Sequence, residues 1–244
     1  MHGCEGVSAG ARGRGPLLVV LAKRPEPGRV KTRLCPPFTP EQAAGFYAAM
    51  LRDVLETMAA EAPGLGLALR LAVHPAEAVA DPGVPLPPVF EVVAQQGADL
   101  SERMDDAARR AHAEGFAPVL LRGSDSPLLD GASLGRALDL LAHRDVVLGP
   151  DLDGGYNLVG LRRPLPGLFA HEMSTGRVLE DTCKRARELG ASVELLPGGF
   201  DIDTFEDLRI LWTRSDGDRA RLHSCAYLDR HGLWPERIGP NSPR

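Results

Sequence analysis

Five cationic side chains, Lys23, Arg24, Arg29, Lys31 and Arg33, fall within eleven residues, together with Gly28 and two prolines. Lysine supplies a point charge, arginine a planar fork, and a glycine-containing loop its free N–H groups; a polyphosphate needs all three. The spacing matches neither a Walker A loop nor a Gly-x-Gly-x-x-Gly dinucleotide fingerprint. A solvated basic loop is the other reading of the same residues.

Three acidic segments stand beside it in the chain. Gly123-Ser124-Asp125-Ser126-Pro127 offers one carboxylate, Gly149-Pro150-Asp151-Leu152-Asp153-Gly154-Gly155 holds a literal Asp-x-Asp, and Asp201-Ile202-Asp203-Thr204 offers Asp203 as a partner for Asp125. Hard cations take carboxylate oxygens and fill their remaining positions with phosphate and water, so such residues suit Mg²⁺ or Mn²⁺ beside a diphosphate. Each segment also has a plainer reading. Asp125 would cap a turn, Asp153-Gly154 would make a tight hairpin, and Thr204 would cap a helix whose acidic first turn the helix dipole favours.

The elements that must position these segments alternate along the chain. Residues 17–22 form a short apolar run suited to a strand buried on both faces. Thr39 as N-cap, Pro40 at the first position and Gln42 closing a capping box predict a helix over 40–61. Further strands are expected at 67–73, 90–93, 117–121, 145–148, 156–161 and 192–196. Further helices are expected at 100–114, 132–143, 175–189 and 205–213, the last capped by Thr204. This alternation predicts an α/β fold built on a mostly parallel sheet covered on both faces. In such sheets ligands bind at the carboxyl ends of the strands, and each loaded segment follows a strand.

The bulk properties narrow the class. The 244 residues are 43% hydrophobic and 25% charged with net charge −5, against the basic excess of general nucleic-acid binders. Cys4, Cys35, Cys183 and Cys225 contain no Cys-x-x-Cys, so a zinc ribbon or disulfide framework is not indicated and reduced thiols are expected. The run at 17–22 is too short for a signal or a membrane span; a cytoplasmic location without membrane or nucleic-acid partners is expected. Residues 1–15 read as a disordered extension, 16–214 as one transferase domain, and 215–244 as a partly ordered tail. His74, His112, His143, His171 and His223 lie outside the loaded segments and read as surface or structural residues.

The run Leu21-Ala-Lys-Arg-Pro-Glu-Pro-Gly-Arg-Val-Lys-Thr-Arg-Leu34, continued by Gln96-Gly-Ala-Asp-Leu-Ser-Glu-Arg-Met104 and the three acidic segments, resembles a bacterial family of glycosyltransferase-like proteins. These are of the arsenosugar-biosynthesis type or the radical-SAM/selenodomain-associated type, within the nucleotide-diphospho-sugar transferase superfamily. The resemblance spans about residues 17–212. It implies a glycosyltransferase A-type fold, Rossmann-like in three α/β/α layers, with one short antiparallel excursion. It also implies that Lys23, Lys31 and Arg33 contact donor phosphates, with Thr32, Arg103, Gly154 and Gly155 completing the phosphate set. Asp125 and Asp203 would hold Mg²⁺ or Mn²⁺, and Asp153 is the candidate base. The chain departs from the pattern at Ser101, where Gly is frequent, and at Met173 and Gly176, where an aromatic and Pro are frequent.

The expected function is metal-dependent transfer from a nucleotide-activated donor, with a glycosyl group passing from a nucleoside diphosphate sugar to a small acceptor. The nearest rival is a nucleotidyltransferase, for instance a guanylyltransferase acting on a phosphorylated small acid with release of pyrophosphate. A non-catalytic nucleotide-binding protein is a third reading, disfavoured by the intact Asp125, Asp153 and Asp203.

Overall fold

The computed structural model describes residues 13–217 and 219–235; the expected extension lies largely outside these residues. Seven strands, β1 Leu17–Lys23, β2 Ala68–His74, β3 Phe90–Ala94, β4 Val119–Arg122, β5 Val146–Pro150, β6 Tyr156–Leu161 and β7 Val193–Leu195, form one sheet. Its order is β3-β2-β1-β4-β6-β5-β7. Only β6 runs antiparallel to its neighbours, between β4 and β5; the remaining pairs are parallel. This is the mostly parallel α/β sheet with one antiparallel excursion that the sequence predicts.

Six helices cover the sheet: α1 Pro40–Leu65, α2 Leu100–Ala113, α3 Gly131–Leu141, α4 Val178–Glu188, α5 Asp207–Arg214 and α6 His223–His231. Strand side chains alternate between faces. Leu18, Val20 and Leu120 pack with α1, α3, α5 and α6 in one buried cluster. Leu17, Val19 and Leu121 pack with α2 and α4 in the other. Burial on both faces explains why β1 and β4 read as unbroken apolar runs.

Local caps fix where the helices start. The capping box of Thr39 and Gln42 is present with Pro40 at the first position, and Asp99 and Asp130 cap α2 and α3. The expectation for Thr204 fails. The last helix of the domain begins at Asp207, and Thr204 is a donor there. Asp207 accepts from Asp203 N (3.0 Å), Thr204 N (2.7 Å) and Thr204 Oγ1 (2.9 Å). A carboxylate can gather several donors at once, and that outweighs the single acceptor of a threonine cap.

Within 215–235, α6 docks on α1 through a buried carboxylate. Asp53 accepts from His223 N (2.6 Å) and Ser224 N (2.9 Å) at the start of α6. Trp212 of α5 and Trp234, just past α6, meet edge to face with centroids 4.8 Å apart, and the Arg219 guanidinium lies over the Trp212 ring. Among the described residues no helix is long and apolar enough to cross a membrane.

Candidate active site

The loops after β1, β4 and β7 and the β5–β6 turn surround a cleft of about 880 Å³ at the carboxyl ends of the strands. The topology places it where the strand order reverses, with β1 leading outward to β2 and β3 on one side and β4 on the other.

Lys31 is its centre. Its side chain is 4% exposed, and Nζ lies 2.9 Å from Asp125 Oδ1 and 2.8 Å from Asp203 Oδ1. Burial alone would pull its pKa down, but the two carboxylates outweigh that and hold the ammonium charged well above the usual lysine range. Burial likewise pushes the Asp203 pKa up, and contact with Lys31 more than offsets it, so Asp203 is held below its ordinary value. Lys31 is the only non-glycine residue among those described with positive φ, at 47°. This left-handed backbone turns its side chain inward beside the exposed Arg29, Thr32 and Arg33.

The carboxylates are held by a stitched pair of loops. Ile202 N donates to Asp125 O (3.0 Å), and Ser126 Oγ donates to Phe200 O (2.7 Å). Beneath them Arg122, 1% exposed, donates to Gly123 O (3.1 Å) and Ser126 O (2.6 Å) on either side of Asp125. Burial lowers the Arg122 pKa to about 10, against the opposing pull of Asp201 and Asp125. A buried guanidinium costs several kcal/mol of desolvation on its own (roughly, by the Born argument), and here it clamps the loop that presents Asp125.

Asp201 is the acid that sequence reasoning passed over. Its backbone N donates to Asp151 (3.0 Å), while its Oδ1 is buried without a hydrogen-bond partner. Burial, then the charges of Asp125 and Asp151, push its pKa well above the ordinary carboxylate range. The spacing Asp201-x-Asp203 was the available signal. Arg122 and Tyr47 were missed as well. Arg122 could have been noticed as a charge closing an apolar strand. Tyr47 Oη, which pairs with Ser124 Oγ (2.8 Å) and accepts from Lys23 N (3.0 Å), lies mid-helix and gives no local sign.

Of the remaining expected residues, Lys23, Thr32, Arg33, Arg103, Asp153 and Gly155 border the cleft, and Gly154 does not line it. Lys23 is exposed at the end of β1, and Thr32 and Arg33 are exposed, with Arg33 Nη1 3.7 Å from Asp203 Oδ2. The Arg103 guanidinium donates to Gly97 O and Ala98 O (both 3.2 Å), so it braces a turn. Gly154 N donates to Asp151 O (3.4 Å) and Gly155 N to Asp153 Oδ1 (2.8 Å), so both N–H groups serve the turn itself. Gly154, at φ +89, is required for a further reason: a Cβ there would fall 2.0 Å from Gly176 O. Asp153 is exposed on this turn.

The donor set fits a hard divalent cation. Among the described residues no group of three or more His, Cys, Asp or Glu side chains converges to hold a metal alone. Mg²⁺ is commonly held by one or two carboxylates, with phosphate and water in the remaining positions. Asp125 and Asp203 would supply that pair, next to the buried, unpartnered Oδ1 of Asp201.

The chain is similar to several known proteins. Residues 56–176 match the family described as "Uncharacterized protein conserved in bacteria (DUF2064)". A 2-phospho-L-lactate guanylyltransferase from Haloarcula marismortui is 32% identical over 197 residues, spanning 78% of this chain and 83% of the relative. Its counterpart from Methanothermobacter thermautotrophicus is 29% identical over 195 residues, spanning 78% and 82%. A crystal structure from Desulfovibrio desulfuricans G20, provisionally named a nucleotide-diphospho-sugar transferase, superposes with TM-score 0.80 at 30% identity, covering 93% of this chain and 99% of that one.

Proposed function

The chain belongs to the family of the guanylyltransferase from Haloarcula marismortui and the nucleotide-diphospho-sugar-transferase-like protein from Desulfovibrio desulfuricans, and on that premise we propose that it is a nucleotidyltransferase. The proposed reaction is guanylyl transfer from GTP to a small phosphorylated acid. The expected glycosyl transfer gives way, because the sequence relatives from Haloarcula marismortui and Methanothermobacter thermautotrophicus, each matched over 78% of this chain, are both guanylyltransferases.

The observation that carries the reading is the Lys31 ammonium set between Asp125 and Asp203 at the open carboxyl edge of the sheet. An acceptor phosphate oxygen attacks the α-phosphorus of GTP, a new P–O bond forms, the bond from the α-phosphorus to the β-bridging oxygen breaks, and pyrophosphate leaves. Lys31, with Lys23 and Arg33 at the rim, stabilises the charge gathered on the phosphates. Asp125 and Asp203 would hold Mg²⁺ or Mn²⁺, which when bound neutralises phosphate charge. The attacking phosphate is already ionised and needs no general base. Asp153 would be needed as a base only for a hydroxyl acceptor, as in glycosyl transfer.

The test pairs GTP with a series of phosphorylated carboxylic acids and Mg²⁺ or Mn²⁺, scoring pyrophosphate. Metal-dependent pyrophosphate release, largely retained in Asp153→Asn, is expected. Nucleoside diphosphate release from a sugar nucleotide, abolished in Asp153→Asn, would restore glycosyl transfer in its place.

A further inference from the structure

We propose that the Ser124 hydroxyl is a catalytic hydrogen-bond donor to the α-phosphate of the nucleotide, and that Tyr47 is the positioning residue that leaves its hydrogen to the cleft. The inference rests on the nucleotidyl-transfer reading above and adds two residues to it.

Two serines flank Asp125, and both are buried. Ser126 Oγ donates to Phe200 O (2.7 Å), so its hydrogen is engaged in joining two loops. Ser124 Oγ has a single hydrogen-bond partner among the described residues, Tyr47 Oη at 2.8 Å. Tyr47 Oη also accepts from Lys23 N (3.0 Å). One phenol of α1 thus ties the end of β1 to the start of the loop after β4, the neighbouring strands at which the sheet order reverses. Tyr47 and Ser124 both line the cleft.

The hydrogens of this pair can be counted. Two hydroxyls carry two hydrogens and share one contact, so one hydrogen is left over. The Lys23 N–H occupies the acceptor side of Tyr47. A phenol is also more acidic than an aliphatic alcohol, and so the better donor. Tyr47 therefore donates to Ser124, and the spare hydrogen is the one on Ser124. Among the described residues no acceptor of the chain takes it. A buried donor left without an acceptor is costly, and a substrate oxygen in the cleft supplies one. The phosphorus under attack belongs beside Lys31 and Asp125, and Ser124 precedes Asp125 in the chain. A phosphoryl group in transfer spreads charge over its equatorial oxygens, and a fixed donor stabilises that charge. No proton changes hands; the hydrogen stays on Ser124 throughout.

The experiment measures kcat/KM for pyrophosphate release with GTP and with each diastereomer of GTPαS, which carries sulfur at one non-bridging position of the α-phosphate. The proteins are the native chain, Ser124→Ala, Tyr47→Phe and the double variant. Sulfur accepts hydrogen bonds weakly. In Ser124→Ala the preference for GTP over one diastereomer should therefore fall by roughly 3- to 10-fold, the size of one hydrogen bond, with the preference over the other unchanged. Tyr47→Phe should lower the same ratio by less, because the hydroxyl remains but is no longer held. The double variant should match Ser124→Ala, as expected of residues that act through one group. Equal losses with all three nucleotides in Ser124→Ala overturn the proposal and reduce Ser124 to packing. A larger fall in Tyr47→Phe than in Ser124→Ala also overturns it, since the spare hydrogen would then belong to Tyr47. If Ser124→Ala does not fold, Tyr47→Phe decides, and ratios unchanged from the native protein overturn the proposal. Absence of pyrophosphate release by the native protein with every nucleoside triphosphate overturns the underlying reading and the proposal with it.

Discussion

Lys31 carries an unusual load for one side chain. Its backbone sits in the left-handed region, which costs an L-residue about 1–2 kcal/mol, and its ammonium is buried between two acids. Residues held this way persist where the surroundings over-determine them, commonly at functional sites. Lys31→Met should lower kcat/KM for the nucleotide by roughly 100- to 1,000-fold, the scale of losing one preorganised charge at a reacting phosphate. Steady-state kinetics checks it, and a loss under about 3-fold would remove Lys31 from the site. The lysine itself was legible, since a basic loop after a first strand invites a phosphate. Its partners were not, because the pairing with Asp203 spans 172 residues and no local pattern encodes it. Asp201 was hidden for a related reason: its distinction is an unpartnered buried oxygen, a property of the packed loops.

Elements whose boundaries depend on neighbours within a few residues were readable, and those that depend on distant groups were not. The capping box at the start of α1 is a four-residue signal and appears as expected. The start of α5 was misplaced because the Thr204 hydroxyl donates to Asp207, as does the Thr204 N–H, and does not serve as the helix cap. Helix α6 shows no cap of its own; its first N–H groups are met by Asp53, 170 residues away. A helix end left without acceptors in a buried place is costly. Asp53→Ala should therefore lower stability by about 2 kcal/mol, moving Tm by roughly 4–8 °C in a chain of this size. Calorimetry checks this, and because Asp53 lies away from the cleft, nucleotide turnover below the transition should be unchanged.

The molecule as a whole is organised by a sheet whose order reverses beside β1, and the alternation of strands with helices was enough to place every loaded segment at the correct edge. The antiparallel insertion of β6 depends on the β5–β6 turn, where Gly154 approaches Gly176 too closely for any side chain. The far edge of the sheet is tied at Asp145, which accepts from Ser192 N (3.0 Å) and Ser192 Oγ (2.9 Å) and from Arg162 and Arg163. These donors, the Ser192 N–H foremost, hold its pKa well below the ordinary carboxylate value. A depressed folded-state pKa gives stability that is complete above the unfolded value and drains as pH falls through the folded one. The native protein should thus lose this contribution below about pH 4, and Asp145→Asn should show a smaller loss of Tm between pH 5 and 3 than the native protein (roughly, in proportion to that linkage).

The chain has only two tryptophans, and both belong to the C-terminal layer, stacked edge to face and capped by Arg219. Tryptophan emission from this protein therefore comes from one corner of it, where α5 and the segment just past α6 meet. The fluorophores are close enough to couple as a single chromophore, and their signal records whether α5 and α6 are seated. That signal comes in part from the helix that starts beside Asp203, since Asp203 N donates to Asp207 at the head of α5, and it gives an optical gauge of how the C-terminal helices pack.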